Sequence, residues 1–145
     1  MITIIGHIRS GLGKASGFLV HQLPHIEKEF SEVAACRRGS INVELDVPLL
    51  VLVPDHRTKP IAWMPGSPFK EVFDLLRIEL EAPPDAPPLP AWLYIPHGSP
   101  HRRTLKIHEI ITTPLDLAGV KSCRIKIKRS TFQLPWHQYP IVVVT

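Results

Sequence analysis

The feature that most constrains the fold is a strict alternation of polar and apolar residues over residues 40–46, Ser-Ile-Asn-Val-Glu-Leu-Asp. A period of two residues is typical of a half-buried β-strand, because successive side chains point to opposite faces of the sheet. Ile41, Val43 and Leu45 are then expected to face a core. The other face carries a hydroxyl, an amide and two carboxylates, which are hard oxygen ligands of the kind that suits Mg²⁺. A plain solvent-exposed strand face accounts for the same pattern.

Further short stretches also favour strands. The predicted strands cover residues 2–8, 49–53, 71–81, 91–95, 104–112 and 124–128. A short helix is predicted over residues 24–33, because Pro24 suits a first helical turn and apolar residues recur at helical spacing. Residues 82–90 contain five prolines and predict an exposed loop. Many short strands with little helix indicate a mainly β protein built as a closed barrel.

The size and composition of the chain agree with a single globular domain over residues 1–145, since 44% of the residues are hydrophobic. Cys36 and Cys123 show neither a metal-binding spacing nor a disulfide framework, which favours a reducing compartment. We recognise no signal peptide, and no apolar run approaches the ~20 residues needed to span a bilayer. We therefore expect a cytoplasmic protein that makes no membrane contact.

The net charge is +4, and basic side chains gather at residues 37–38, 101–103 and 121–129. A modest positive charge favours anionic ligands such as nucleotides or nucleic acid. A solvated basic surface explains the same charge equally well.

Residues 10–19, Ser-Gly-Leu-Gly-Lys-Ala-Ser-Gly-Phe-Leu, contain three glycines within seven positions. The backbone N–H groups of such a loop can form an anion-binding concavity, and Lys14 adds positive charge. The Gly-Lys-Ser/Thr ending of a Walker A motif is absent. A glycine-rich hairpin between two strands is the alternative interpretation.

Glu109 breaks the pattern of the predicted strand at residues 104–112. Alternation places it on the same face as Leu105 and Ile107, which are apolar. A carboxylate on such a face needs a partner or has a functional role, unless the strand ends or twists near it.

Three stretches, taken in order, resemble the CTP-dependent riboflavin kinases known from archaea. The first is Gly6-x4-Gly11-Leu12-Gly13 with the Phe-Leu pair at 18–19. The second is residues 39–46, where the family carries Gly-Thr-Leu-Asn-Val-x-Leu-Asp. The third is residues 91–96, followed by a basic, His-containing loop and by residues 107–111. Order and spacing agree across residues 4–128.

The resemblance implies a single closed six-stranded cradle-loop β-barrel with one or two short helices. It also implies transfer of the terminal phosphate of CTP to the ribityl 5′-hydroxyl of riboflavin, which gives FMN and CDP and uses Mg²⁺. Phosphoryl transfer depends on positioning and charge neutralisation more than on covalent chemistry with the protein.

The resemblance further implies roles for individual residues. Ser40 and Asn42, at the positions of the family's Thr and Asn, would hold Mg²⁺ against the nucleotide phosphates. Glu109 would be the catalytic residue that orients or deprotonates the ribityl hydroxyl, and Thr104 and His108 would bind riboflavin with it. The nucleotide-binding residues would be those of the glycine loop, Gly11, Leu12, Gly13, Lys14, Ala15 and Ser16.

The chain also departs from the family pattern. Ala15 stands where the family has a third glycine, and Gly17 stands where it has an aromatic residue. If position 15 needs a left-handed conformation, alanine there costs about 1–2 kcal/mol. The segment after Pro114 is shorter than in the family, and residues 82–90 and 129–145 are unlike it.

Two further hypotheses therefore stand beside the kinase. One is a barrel of the same family that binds a nucleotide or flavin without turnover, which the departures favour. The other is a nucleic-acid-binding barrel, which is supported only by the net positive charge. For that reason we do not expect nucleic acid as the partner.

Overall fold

The structure is a computed structural model that describes residues 1–9, 14–98, 105–129, 131–136 and 139–145, without the side chains of residues 14–16, 131–136 and 139–140. The described residues form ten strands, one α-helix and one short 3-10 helix. In chain order these are β1 (Ile2–Arg9), α1 (Lys14–Glu29), the 3-10 helix (Ser31–Val33), β2 (Ile41–Leu45), β3 (Leu49–Val51), β4 (His56–Arg57), β5 (Phe73–Glu81), β6 (Leu89–Pro96), β7 (Ile107–Thr112), β8 (Ser122–Ile127), β9 (Thr131–Trp136) and β10 (Tyr139–Val144).

Six of the strands close into an antiparallel barrel. Their order is β5-β6-β7-β2-β1-β8, and β8 pairs back with β5 to complete the ring. The short strand β4 pairs with β5 outside the ring. The predicted fold class, a mainly β closed barrel with little helix, is confirmed.

The barrel interior is filled by one face of each strand. In β2, Val43 and Leu45 point inward and are buried, as the alternation of residues 40–46 predicts. The buried residues that the barrel strands contribute to this core are Ile4, Val43, Leu45, Leu76, Ile78, Leu80, Ala91, Leu93, Ile110, Cys123, Ile125 and Ile127.

The helix α1 builds a second core on the outside of the barrel. Leu19, Leu23 and Ile26 recur at helical spacing and are buried. They pack against outward-facing residues of three strands, which are Phe73, Leu75, Trp92, Tyr94 and Ile111. Strands β5 and β6 are therefore covered on both faces where α1 packs. The strand predicted over residues 71–81 is confirmed.

The observed helix differs from the predicted one. It begins at Lys14, so the second half of the predicted glycine loop is helical and no hairpin forms there. Pro24 lies inside the helix and not in its first turn, and residues 31–33 form a separate 3-10 helix. The early start is hidden in the sequence because Ser and Gly favour helix weakly, whereas packing of the apolar face supplies most helical stability. Ala15 is helical, so it carries no left-handed strain.

The C-terminal segment belongs to the same globular unit. β10 pairs in parallel with β3 and antiparallel with β9 in a separate three-stranded sheet. Val142 and Val144 are buried in the barrel core. This C-terminal strand therefore packs within the same chain. Among the described residues, no helix is both long and apolar enough to span a membrane.

Gly6 tests how tightly the barrel interior is packed. It lies on β1, and a Cβ added there would collide with Cγ1 of Val43. Overpacking a core costs about 1–3 kcal/mol, so we expect Gly6→Ala to lower the free energy of unfolding by that amount in urea denaturation. Gly17→Ala is the control, because nothing lies within 4 Å of a Cβ added at that helical position. It should raise stability by about 0.5–1 kcal/mol, and equal losses in both variants would contradict this account.

Candidate functional site

Two paired strands bring the predicted metal-binding and catalytic residues together. β2 and β7 pair so that Asn42 lies directly opposite Glu109. Residues opposite each other in an antiparallel pair have Cβ atoms roughly 4.5–5.5 Å apart. Ser40 comes just before β2, and its hydroxyl donates a hydrogen bond of 2.9 Å to Oε1 of Glu109. Ser40 and Asn42 thus form one cluster with Glu109, which lies 69 positions beyond Ser40 in the sequence, and we call it the Ser-Asn-Glu cluster.

The Ser-Asn-Glu cluster is largely shielded from solvent. Asn42 is 7% exposed and Glu109 is 6% exposed, although both lie on the outer face of the barrel. A solvent-exposed strand face, the alternative that the sequence left open, therefore does not describe Asn42. Burying a polar group costs free energy unless it is hydrogen-bonded. Glu109 has Ser40 as a partner, whereas Oδ1 of Asn42 has no hydrogen-bond partner among the described residues.

Tyr94 extends the cluster onto a third strand. On β6 it lies directly opposite Glu109, and its hydroxyl donates a hydrogen bond to Oε1 of Gln22 on α1. Burial, followed by the charges of Glu109 and Glu71, raises the pKa of Tyr94, so the phenol stays protonated at neutral pH. The sequence does not reveal this contact, because residue 22 lies outside the predicted helix and no residue pattern shows which strand it faces.

A small cavity of about 80 Å³ lies beside Glu109. Its polar lining consists of Asp74, Tyr94, His108 and Glu109, and residues of β3, β6 and β7 supply most of its apolar lining. Apolar walls with a few convergent polar groups are typical of small-molecule sites. The cavity is smaller than a whole ligand requires, so it suits one part of a ligand. His108 lines this cavity, and its Nε2 atom lies 2.9 Å from the carbonyl oxygen of Leu105.

Asp74 is a second buried carboxylate at this cavity, and the sequence analysis did not single it out. Arg57 binds it with two hydrogen bonds, of 2.7 and 3.0 Å, and Nε2 of His97 lies 3.0 Å from Oδ2. Burial alone would raise the pKa of Asp74, but Arg57 and His97 outweigh burial and hold the pKa below its ordinary value. Asp74 is therefore ionised at neutral pH.

The other predicted site residues are described in part or not at all. Residues 14–16 form the first turn of α1, where helix N–H groups favour anions. β1 ends at Arg9, which lies opposite Asn42, so the strand that precedes α1 ends beside the cluster. Four predicted residues lie outside the described part of the chain, namely Gly11, Leu12, Gly13 and Thr104.

The donor set of the cluster fits Mg²⁺. Within the described ranges, no three His, Cys, Asp or Glu side chains are grouped so that they could hold a metal ion by themselves. The cluster instead offers a hydroxyl, an amide oxygen without a hydrogen-bond partner in the described part of the chain, and one carboxylate. Mg²⁺ is usually bound by one or two carboxylates together with water and the phosphates of a substrate. These residues therefore suit a metal that arrives with a nucleotide.

Comparison with known proteins adds no assignment. No protein-family model matches the chain, and no curated protein is significantly similar to it.

The cluster of Asp74 with Arg57 and His97 makes stability depend on pH. The ordinary pKa of an aspartate is about 3.9, and that of Asp74 is lower in the folded protein. The ionised carboxylate therefore stabilises the fold above about pH 4, and this contribution is lost as the pH falls through the lowered pKa. Asp74→Asn should lower the free energy of unfolding in urea by about 1–3 kcal/mol at pH 7 and by less at pH 3.

Asp85→Asn is the control for this prediction, because its side chain is 98% exposed. It should change stability little at either pH. A loss in Asp74→Asn that is the same at pH 7 and pH 3 would contradict the ionised cluster.

Proposed function

We propose that this protein is a riboflavin kinase-like phosphotransferase, which moves the terminal phosphate of CTP to the ribityl 5′-hydroxyl of riboflavin with Mg²⁺. The observation that carries the proposal is the buried Oδ1 of Asn42, which lies opposite Glu109 and has no partner among the described residues. Leaving such an acceptor unpaired costs about 1–3 kcal/mol, and a bound cation is one partner that would satisfy it. The resemblance over residues 39–46 assigns Asn42 the same role.

Ser40 and Asn42 are the residues that would hold Mg²⁺. When bound there with a nucleotide, the ion would neutralise charge on the phosphates. A serine hydroxyl has one proton and two lone pairs, so Ser40 can donate a hydrogen bond to Glu109 and still coordinate a cation through a lone pair. The Ser40–Glu109 hydrogen bond is therefore compatible with metal binding.

Glu109 is the residue that would orient the acceptor hydroxyl. It lies at the boundary between the Ser-Asn-Glu cluster and the small cavity, so one carboxylate contacts both regions. A carboxylate there can accept a hydrogen bond from a substrate hydroxyl and take its proton as the new O–P bond forms. His108 lines the same cavity and would contact the acceptor.

The first turn of α1 would bind the nucleotide phosphates. Unpaired N–H groups and the helix dipole favour anions at this end of a helix. Lys14, Ala15 and Ser16 form this turn, and the helical conformation of Ala15 removes the strain that the sequence raised as an objection.

The charges of the described surface favour a small anion over nucleic acid. Lys126 and Lys128 on and after β8 lie 2.7 Å from Glu81 and 2.6 Å from Glu79. These pairs neutralise part of the basic segment at residues 121–129 and weaken its attraction for a phosphate backbone. Cys36 and Cys123 are buried and unpaired, which agrees with a reaction in the cytoplasm.

The direct test is to incubate the purified protein with Mg²⁺, riboflavin and each nucleoside triphosphate in turn and to assay FMN. We expect FMN with CTP, and we expect the nucleotide to raise the melting temperature by mass action. A rise in melting temperature without FMN would support the non-catalytic binding barrel. No shift at millimolar nucleotide or riboflavin, and no FMN, would overturn both interpretations.

Asn42→Ala tests the metal-binding role. We expect the variant to fold and to lose Mg²⁺-dependent nucleotide affinity, and its FMN formation should fall by about 100-fold, because neutralisation of phosphate charge matters most in the transition state. Glu44→Ala is the matched control, since Glu44 lies on the same face of β2 and pairs with Arg9 at 2.7 Å. It should keep wild-type turnover. Equal losses in the two variants, or no loss in either, would remove Asn42 from the site.

A further inference from the structure

A buried hydrogen bond joins α1 to the strand that neighbours Glu109. The hydroxyl of Tyr94 donates to Oε1 of Gln22, and both side chains are only 2% exposed. Tyr94 lies opposite Glu109 in the sheet and lines the same cavity. No step of the proposed reaction uses either side chain, so the contact calls for its own explanation.

The apolar contacts between α1 and the barrel, made by residues such as Leu19, Leu23 and Ile26, do not fix the position of the helix along the sheet. Hydrophobic contact is non-directional, so these residues hold the helix on the barrel without defining its height. Glu29 adds directional contacts at the last turn, where its Oε1 atom lies 3.3 Å from Nε2 of His56 and accepts a 3.1 Å hydrogen bond from the backbone N–H of Lys59. The Gln22–Tyr94 hydrogen bond fixes the helix at the strand next to Glu109, because a hydrogen bond weakens steeply when its length or angle changes.

This position determines where the first turn of α1 lies relative to Glu109. Gln22 follows residues 14–16 by about two helical turns, with a rise of about 1.5 Å per residue. Because a helix is rigid over this length, a shift of Gln22 along the sheet shifts the first turn by the same amount. Tyr94 is next to Glu109 across the β6–β7 pair. The Gln22–Tyr94 hydrogen bond therefore links residues 14–16, the proposed nucleotide-binding turn, to Glu109 through one helix and one strand pair.

We propose that Gln22 and Tyr94 are positioning residues, whose hydrogen bond aligns the nucleotide-binding turn of α1 with Glu109. This inference rests on the proposed function. A misplacement of about 1 Å between reacting groups can cost about 100-fold in rate.

The test separates positioning from stability with a double variant. Tyr94→Phe or Gln22→Met alone leaves one buried polar group unpaired, and each should lower the melting temperature by about 3–8 °C. The double variant replaces both partners by apolar groups of similar shape, which can be nearly neutral. We expect it to melt within about 2 °C of the wild type, to bind CTP with near wild-type affinity and to show a kcat lower by about tenfold.

Glu81→Gln is the matched control for destabilisation. The buried carboxylate of Glu81 accepts a 3.3 Å hydrogen bond from Arg124 and lies 2.7 Å from Nζ of Lys126, and both partners are on β8, which pairs with β5 and β1. The variant should melt earlier and keep the wild-type kcat. It shows what loss of a buried polar contact does when no positioning role is involved.

Two results would overturn the inference, and they are distinguishable. If the double variant regains wild-type stability and wild-type kcat, the contact is structural only and the proposed function stands. If the wild-type protein forms no FMN with any nucleotide, the proposed function fails and this inference fails with it.

Discussion

Closure of the barrel by the pairing of β5 with β8 is the constraint on which the rest of the structure depends. Lys126 lies opposite Glu79 in this pairing, and its Nζ atom lies 2.7 Å from the buried carboxylate of Glu81. Once the ring is closed, a slip of one residue in any strand would move its inward side chains to the outer face. The same registers place Asn42, Glu109 and Tyr94 in one row across three strands.

The helix α1 shields part of this row of polar side chains from water. Because α1 packs on the outer face of β5, β6 and β7, Tyr94 and Gln22 are removed from water. Charges interact more strongly where the effective dielectric constant is low. The same scaffold keeps Asp74 ionised beside the cavity through Arg57 and His97. A small barrel with one helix can therefore hold several polar groups in fixed positions next to an apolar cavity.

The sequence predicted those features that depend on local periodicity. β2 is evident in the sequence because apolar residues alternate with polar ones along it. Glu109 stands out because it is a carboxylate on a predicted strand face that is otherwise apolar. The start of α1 was missed because its stability comes from packing against strands far along the chain. The Gln22–Tyr94 contact joins residues 72 positions apart, so it depends on strand registers that periodicity does not contain.

The proposed function depends most on whether Ser40 and Asn42 hold a metal together with the phosphates of a nucleotide. The most direct measurement is the broadening of backbone amide NMR signals when Mn²⁺ replaces Mg²⁺ in the presence of CTP. We expect the strongest broadening at Ser40, Asn42 and Glu109. We expect little at Lys126, because its strand β8 is adjacent to neither β2 nor β7 in the barrel. Broadening centred on another surface, or none that depends on CTP, would contradict this account.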